Sequence, residues 1–198
     1  SKDYKRIGDA DQGPNTGGMG AHSPSVVLSE EQAAELHRSL GEATLAGMAA
    51  EQRPFSGVLY VGVMLTDEGP RVLEYNARLG DPEAQAILPR LDDYLLPVLA
   101  SGADGRFETD RLDFSSRACV CLVLANEGYP GKPISGDEIT GLDEAGELES
   151  VEVFHAGTRA EDGRIIAASG RVLNVCALGD DLAGAVDRAY RAAAVIDW

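Results

Sequence analysis

The pattern of apolar and polar positions first predicts a helix. Between residues 30 and 52 the apolar side chains form a broken stripe at helical spacing. Ser29 followed by Gln32 matches a capping box, in which side chains and backbone amides satisfy each other at a helix start. Gly41 and Gly47 lower the helix propensity, so we expect this helix to be weakest in its middle.

A hairpin and two short helices are predicted next. Residues 58–66 and 71–78 carry β-branched and alternating apolar side chains, and residues 67–70 between them are turn formers. Asp81 and Pro82 then match the N-cap and the first position of a helix. Prolines interrupt the helical pattern that follows, which favours two short helices over one.

The second half of the chain is predicted to consist mostly of strands. A change of composition at residues 101–105 marks a domain boundary. The strand patterns cover residues 118–125, 151–155, 164–168 and 171–178. Asp180 is the expected cap of a final amphipathic helix. Helices combined with antiparallel strands place the chain in the α+β class.

Composition and charge exclude several classes of protein. Apolar residues make up 44% of the chain and charged residues 25%, as in globular proteins. No apolar run approaches the ~20 residues that a membrane-spanning helix needs, and the first six residues are unlike a signal peptide. The net charge of -16 argues against binding nucleic acid, because phosphate recognition needs clustered Lys and Arg. We therefore expect neither a membrane nor nucleic acid among the partners.

The cysteines form no recognisable disulfide framework or metal motif. Cys119 and Cys121 alternate within an apolar run, so on a strand they would share one face, and Cys176 lies in a later strand. This usage is typical of buried free thiols in a cytoplasmic protein.

Polar side chains on the second strand of the predicted hairpin form the strongest candidate site. Glu74, Asn76 and Arg78 project from one face, about 7 Å apart between successive Cα atoms, while Leu73 and Tyr75 are expected to face a core. A carboxylate and an amide oxygen suit Mg²⁺, and a guanidinium suits phosphate oxygens. An exposed polar strand face with a weak surface ion pair is the alternative interpretation.

A glycine-rich run, residues 9–20, is the second candidate, within an expected loop over residues 8–25. Glycines let the backbone approach an anion, and successive amides can hold a phosphate or carboxylate. Asn15 and Thr16 add side-chain donors. No Lys-Ser/Thr pair follows the glycines, so the run is not a Walker A loop. A plain flexible loop is the alternative.

Two single residues complete the candidates. Asp81 would either cap the predicted helix or hold a substrate amine beside a phosphate site. Arg171 opens an apolar strand, where it would either contact an anion or lie at the surface. From the pattern alone both alternatives stay open.

Several motifs resemble the glycinamide ribonucleotide synthetase family of ATP-grasp ligases. The resembling segments are residues 5–6, 13–20, 57–60, 73–83, 128–131, 155–158 and 170–173, in the family's order. They span nearly the whole chain. The resemblance implies ATP-dependent ligation of glycine to 5-phosphoribosylamine in purine biosynthesis. The reaction passes through glycyl phosphate and yields glycinamide ribonucleotide, ADP and phosphate.

The resemblance also implies roles for single residues. Glu74 and Asn76 would hold Mg²⁺ or Mn²⁺ against the ATP phosphates, and Arg78 would stabilise phosphoryl charge as a catalytic residue. The expected substrate contacts are Asn15, Thr16, Gly17, Gly18, Asp81 and Arg171. Tyr60 stands where several ATP-grasp relatives have a further acidic ligand, so phosphates and waters would complete the metal shell.

A division of the chain follows from the same resemblance. Residues 1–103 would form the carboxy-terminal part of an ATP-grasp domain, and residues 104–198 a small β-rich domain. The amino-terminal half of the family enzyme, which grips ATP, has no counterpart here, so we expect the chain alone to be inactive. One alternative is another ATP-grasp carboxylate–amine ligase, against which the 13–20 run argues. The other is a non-catalytic fragment that keeps only metal-side and substrate-side binding.

Overall fold

The computed structural model describes residues 1–107, 109 and 111–198. The strands are β1 (Lys2–Asp3), β2 (Arg6–Gly8), β3 (Gln12–Asn15), β4 (Gly20–Ser23), β5 (Tyr60–Thr66), β6 (Gly69–Asn76), β7 (Ala118–Ala125), β8 (Val151–His155), β9 (Thr158–Glu161), β10 (Arg164–Ala167) and β11 (Arg171–Gly179). The helices are α1 (Glu30–Leu36), α2 (Ala43–Ala50), α3 (Glu83–Ile87), α4 (Leu95–Ala103), α5 (Leu142–Gly146) and α6 (Leu182–Ala193). Helices and antiparallel strands confirm the predicted α+β class.

The chain forms two compact units that alternate along the sequence. Unit one contains Ser1–Ser25, Asp81–Arg90 and Phe114–Trp198, and unit two contains Val26–Gly80 and Leu91–Asp113. The predicted domains, residues 1–103 and 104–198, refer to the longer family fold and stay a prediction. Among the residues that the structure describes, no helix is long and apolar enough to cross a membrane.

Unit one is built on a five-stranded antiparallel sheet with the order β1-β4-β7-β11-β8. In the centre of the sheet Cys121 of β7 pairs with Cys176 of β11, and Ala21 of β4 pairs with Cys121 from the other side. Two ribbons, β2 with β3 and β9 with β10, also belong to this unit. The predicted strands of the second half are confirmed within one residue at each end.

Helices cover both faces of this sheet. On one face Ala185, Ala189 and Ala192 of α6 are spaced by four and three residues, so they form one stripe that packs on Val120 and Val175. On the opposite face Ala86 of α3 packs on Ala21, Cys121 and Cys176. Small side chains on both helices let them lie close to the sheet.

The three cysteines are buried free thiols, as predicted. Cys119 and Cys121 share the face of β7 that α3 covers, and the Cys119 sulfur lies 3.7 Å from the carbonyl oxygen of Gln85. Burial raises the pKa of Cys119 to about 12. The hydrogen bond with Cys121, together with burial, holds the pKa of Cys176 far above its usual range. Thiolate chemistry at neutral pH is therefore disfavoured.

Unit two contains the predicted first helix and the predicted hairpin. Ser29 and Gln32 form the capping box in full, with Ser29 accepting from the Gln32 amide at 3.2 Å and its own amide donating to Gln32 Oε1 at 2.9 Å. A π-helical segment, His37–Glu42, joins α1 to α2 in the region that Gly41 was expected to weaken. The strands β5 and β6 pair antiparallel as predicted.

Two local expectations were wrong. Residues 8–25 are not one loop, because β3 and β4 form there. Gly20 lets β4 pair with β7, since a Cβ at that position would lie 2.7 Å from the carbonyl oxygen of Cys121. The cap of α6 is Asp181, whose Oδ1 accepts from the Gly184 amide at 2.7 Å, while Asp180 lies one position too early.

Candidate functional site

The predicted metal ligands lie on β6 of unit two. Glu74 pairs with Gly62 of β5, and Asn76 pairs with Tyr60. Glu74 is exposed and Asn76 half-buried. A Cβ at Gly62 would lie 3.0 Å from Cγ of Glu74, so the glycine leaves room for the carboxylate side chain. Two hard oxygen donors at this spacing fit part of a divalent cation site.

The remaining metal ligands are not supplied by a carboxylate cluster. No group of three or more His, Cys, Asp or Glu side chains that could hold a metal occurs within residues 1–107, 109 and 111–198. Among the described residues, no cluster of acidic side chains therefore supplements Glu74 and Asn76. Phosphate and water oxygens would have to complete the coordination shell.

Arg78 follows β6 and is exposed. Its Nη1 donates to the carbonyl oxygen of Leu79 at 2.9 Å, a contact with its own neighbour that a stronger acceptor can replace. The guanidinium is consequently available for an anion at the surface of unit two.

The opposite face of β6 is not buried as predicted. Leu73 is 57% exposed and Tyr75 46% exposed. The Tyr75 hydroxyl accepts from Thr44 Oγ1 at 3.0 Å, which holds one end of its side chain. The described part of unit two contains only the two-stranded sheet β5–β6, and a hairpin without a second layer cannot bury this face.

The glycine-rich run is ordered by hydrogen bonds within unit one. The amides of Thr16 and Met19 donate to the carbonyl oxygens of Lys5 and Tyr4 at 2.7 and 2.8 Å. The amide of Gly18 donates to Thr16 Oγ1 at 3.0 Å. These amides already have acceptors, so they do not form the open anion nest that the sequence suggested. Asn15, at the end of β3, is exposed.

Arg171 and Asp81 come together beside this run. Arg171 Nη1 lies 3.1 Å from Asp81 Oδ1, and it donates to the carbonyl oxygens of Gly17, Gly18 and Asp81 at 3.1, 3.2 and 3.1 Å. The expected capping role of Asp81 is wrong, because α3 begins at Glu83 without a side-chain cap and the carboxylate pairs with the guanidinium instead. The Arg171 side chain is 23% exposed, so this pair lies at the edge of the unit.

Tyr129 belongs to the same cluster, although the sequence did not single it out as a site residue. Its hydroxyl oxygen accepts from the Gly17 amide at 3.0 Å. Its ring packs over Gly170, where a Cβ would lie 2.4 Å from the ring atom Cδ2. The motif at residues 128–131 was the available signal, but nothing local in it points to a partner 112 positions away.

Two titratable side chains, the half-buried Asp3 of β1 and the buried His22 of β4, lie beside the end of the glycine-rich run. Burial, with the charge of Glu83 second, raises the pKa of Asp3 to about 6, and its Oδ2 lies 3.6 Å from Lys5 Nζ. His22 is 3% exposed, its Nδ1 lies 3.3 Å from the Tyr4 hydroxyl, and burial lowers its pKa. The His22 ring is therefore not open to a ligand.

The structure thus divides the predicted site residues into two groups. Thr16, Gly17, Gly18, Asp81 and Arg171 are joined by hydrogen bonds in unit one, with Asn15 at the start of the same segment. The predicted metal ligands and Arg78 belong to unit two.

Known proteins match this arrangement along almost the entire chain. The family model described as phosphoribosylglycinamide synthetase, ATP-grasp (A) domain, matches residues 1–84, and the model of the C domain of the same synthetase matches residues 119–198. A protein of Rhodopirellula baltica named phosphoribosylamine--glycine ligase is 46% identical over 199 residues, covering 100% of the chain and 46% of the relative. Its counterpart from Brucella melitensis is 44% identical over 198 residues with the same coverage.

A solved structure shows the same fold. The crystal structure of a phosphoribosylamine--glycine ligase from Thermotoga maritima superposes with a TM-score of 0.84 at 34% identity, over 99% of this chain and 48% of that one. The chain therefore spans about half the length of the relatives that it matches. Two models of one synthetase, matched in order along the sequence, show that the chain belongs to the phosphoribosylglycinamide synthetase family.

Proposed function

We propose that this chain is part of an enzyme that ligates glycine to 5-phosphoribosylamine at the expense of ATP. The observation that carries the proposal is the ordered match to both domains of one synthetase family, whose relatives are named phosphoribosylamine--glycine ligase. The products would be glycinamide ribonucleotide, ADP and phosphate, a step of purine biosynthesis that we place in the cytoplasm.

Glu74 and Asn76 are proposed as ligands of Mg²⁺ or Mn²⁺. Their donor set supports this, because a carboxylate and an amide oxygen are ligands that hard cations prefer. A bound cation would neutralise charge on the ATP phosphates during phosphoryl transfer. On the chain itself, β6 fixes the two donors on one strand face, and Gly62 keeps the space beside Glu74 open.

Arg78 is proposed to stabilise the charge of the transferred phosphoryl group. In the first step a carboxylate oxygen of glycine attacks the γ-phosphorus, and ADP leaves. In the second step the amine nitrogen of phosphoribosylamine attacks the acyl carbon of glycyl phosphate, inorganic phosphate leaves and the nitrogen loses a proton. An exposed guanidinium can contact the developing charge in both steps, because phosphate oxygens are present throughout.

The substrate contacts are proposed for unit one, at Asn15, Thr16, Gly17, Gly18, Asp81 and Arg171. The hydrogen-bonded amides leave the Asn15 side chain and the loop surface as the groups that a ligand meets first. The Asp81 carboxylate is 49% exposed, so it can also attract a substrate ammonium group while paired with Arg171.

The amino-terminal portion of the relatives is proposed as a partner of unit two. The exposed side chains of Leu73 and Tyr75 support this, since an apolar strand face is stable only when another layer covers it. In the same proposal that portion supplies most of the ATP-binding groups, so the chain alone would be inactive.

A second candidate is a non-catalytic piece that keeps metal-side and substrate-side binding. The two-ligand metal site within the described residues favours this interpretation for the chain alone. Calorimetric titration of the chain with Mg-ATP, and then with glycinamide ribonucleotide, tests it directly. Heat with the ribonucleotide but not with Mg-ATP would support retained substrate-side binding.

The ligase proposal is tested with a protein of the relatives' full length that contains this chain. Phosphate release is measured with ATP, Mg²⁺, glycine and phosphoribosylamine, and each component is then omitted in turn. We expect turnover that requires all of them, and none from the 198-residue chain. Phosphate release that is independent of glycine, or turnover by the short chain, would contradict the proposal.

A further inference from the structure

We propose that Tyr129 and Arg171 act as positioning residues that hold the glycine-rich run in its binding shape. This inference rests on the ligase function proposed above, and it adds Tyr129 to the residues that the reaction needs. It also gives Arg171 a second role beside the proposed substrate contact, in which its side chain acts through the run.

The amide side of the run is closed by contacts within unit one. Gly17 donates to the Tyr129 hydroxyl at 3.0 Å, and Gly18 donates to Thr16 Oγ1 at 3.0 Å. The amides on either side donate to Lys5 and Tyr4, as described above. The other acceptors, in Thr16, Lys5 and Tyr4, lie in or near the run. The Tyr129 hydroxyl comes from a distant part of the sequence, 112 positions from Gly17.

The carbonyl side is closed by Arg171. One nitrogen, Nη1, lies within 3.2 Å of the carbonyl oxygens of Gly17, Gly18 and Asp81, and within the same distance of Asp81 Oδ1. A nitrogen with this many acceptors is fixed, and it ties the run to the segment before α3. Arg171 therefore holds the carbonyl oxygen of Gly17, while the Tyr129 hydroxyl holds the amide of the same residue.

Close packing leaves little freedom at either contact. The Cβ that Gly17 lacks would lie 3.3 Å from the guanidinium carbon of Arg171, so a side chain at this position would press against the guanidinium. The Tyr129 ring is seated on Gly170, where even a methyl group would overlap it. The glycines at 17 and 170 are thus explained by the approach of these two side chains.

Tyr129 and Arg171 come from a different family domain than the glycine-rich run. Tyr129 follows β7 and Arg171 begins β11, both within the stretch that matches the C domain of the synthetase. The run itself lies within the stretch that matches the ATP-grasp domain. The C domain thereby determines the shape of a substrate loop that belongs to the other domain, and a substrate meets a preformed surface.

The test uses the full-length enzyme and the variant Tyr129→Phe, which removes one hydroxyl and keeps the ring. We expect the Michaelis constant of one or both of phosphoribosylamine and glycine to rise about threefold to tenfold, the range that one lost hydrogen bond allows, while kcat stays within twofold. Amide exchange, followed by mass spectrometry on peptides covering residues 13–20, should become faster. A purely structural role would lower the amount of active enzyme and leave both Michaelis constants unchanged.

Gly170→Ala provides a second variant, because it displaces the ring without removing the hydroxyl. The matched controls are Tyr190→Phe on α6, whose side chain is 59% exposed, and Gly146→Ala, where a Cβ meets nothing within 4 Å. Wild-type exchange in Tyr129→Phe, or faster exchange with unchanged Michaelis constants, would overturn the inference while the ligase function stands. Absence of ligase turnover in the unmodified enzyme would instead overturn the proposed function, and the exchange data would still decide whether Tyr129 restrains the run.

Discussion

Unit one and unit two differ in where their apolar side chains lie. Among the described residues, the fully buried apolar side chains all belong to unit one, with Leu173, Val172 and Val175 at 0% exposure. Unit two carries a longer set of exposed large apolar side chains: Val26, Val27, Leu45, Met64, Leu65, Val72, Leu73, Tyr75, Leu79, Tyr94, Leu96, Leu99 and Phe107. Unit one thus has a core of its own, whereas unit two holds the predicted metal ligands on a hairpin without one.

The difference separates the buried core from the proposed metal site within one chain. Burial of apolar surface is the main stabilising contribution to folding, at roughly 25 cal/mol per Å². Changes in unit one should therefore alter the free energy of unfolding. Changes on β6 should alter activity and leave the free energy of unfolding almost unchanged.

A pair of leucine truncations gives the largest expected contrast. Leu173→Ala removes a fully buried side chain and should lower the free energy of unfolding by about 3 kcal/mol, because a cavity replaces its contacts. Leu73→Ala removes a side chain that is 57% exposed and should cost less than about 1 kcal/mol. Urea denaturation of the chain followed by circular dichroism measures both. Equal losses would break the distinction between the units.

Arg171→Ala should have the next largest effect. It leaves three carbonyl oxygens and the Asp81 carboxylate without their donor, so we expect a loss of about 2 kcal/mol of unfolding free energy. The control is Arg191→Ala on α6, where an exposed pair with Asp187 at 3.0 Å should cost under about 0.5 kcal/mol. A loss no greater than that of the control would show that Arg171 does not hold unit one together.

Glu74→Gln tests the chemical side of the comparison. In the full-length enzyme we expect the Mg²⁺ concentration for half-maximal activity to rise at least about tenfold, because a charged ligand is replaced by a neutral one. The unfolding free energy of the chain should change by less than about 0.5 kcal/mol, since Glu74 is exposed. Glu68→Gln, at the ion pair with Arg71 in the hairpin turn, is the matched control. An unaltered requirement for Mg²⁺ would remove Glu74 from the proposed site.

The last expected effect, at Asp3, depends on pH. Because burial raises the pKa of this carboxyl to about 6 in the folded state, the folded chain binds its proton more tightly than the unfolded chain does. The stability that this proton contributes is fully present below about pH 4 and is lost as the pH rises through 6. Asp3→Asn should therefore be more stable than the unmodified chain at pH 7, and the advantage should disappear at pH 4.

Denaturation midpoints measured between pH 4 and 8 would check the Asp3 prediction. Glu161→Gln is a control of opposite sign, because the hydrogen bond from Arg159 lowers the pKa of the Glu161 carboxyl. The charged Glu161 carboxylate contributes stability that is lost as the pH falls. Glu161→Gln should therefore be no more stable than the unmodified chain at pH 7. A constant difference between Asp3→Asn and the unmodified chain across the range would contradict the assigned pKa.

Local patterns predicted the elements whose cause is local. The capping box at Ser29 and the boundaries of β7 depend on neighbouring residues, and both are confirmed. The strands β1 to β4 were missed because two to four residues are too few to show an apolar alternation, and β4 is held by its pairing with β1 and β7. The exposure of Leu73 was also not predictable, since alternation indicates which side chains share a face and not whether anything covers it.

For the candidate site residues too, local patterns predicted only what neighbouring residues determine. Alternation and the family resemblance placed Glu74 and Asn76 on one strand, which the structure contains as β6. The pairing of Asp81 with Arg171 joins segments 90 positions apart, and no local rule connects them. The local pattern therefore favoured Asp81 as a helix cap, but its carboxylate pairs with the distant Arg171 instead.

The strand order of the five-stranded sheet has a consequence for how the chain folds during synthesis. Ala21 of β4 pairs with Cys121 of β7, so the edge of the sheet must wait for roughly a hundred further residues to leave the ribosome. At about 5–20 residues per second this takes on the order of 5–20 s. Throughout that interval β1 and β4 have no central strand to join, and the glycine-rich run lacks its contacts with Tyr129 and Arg171. The glycine-rich run is consequently made well before the strand on which its neighbour β4 depends.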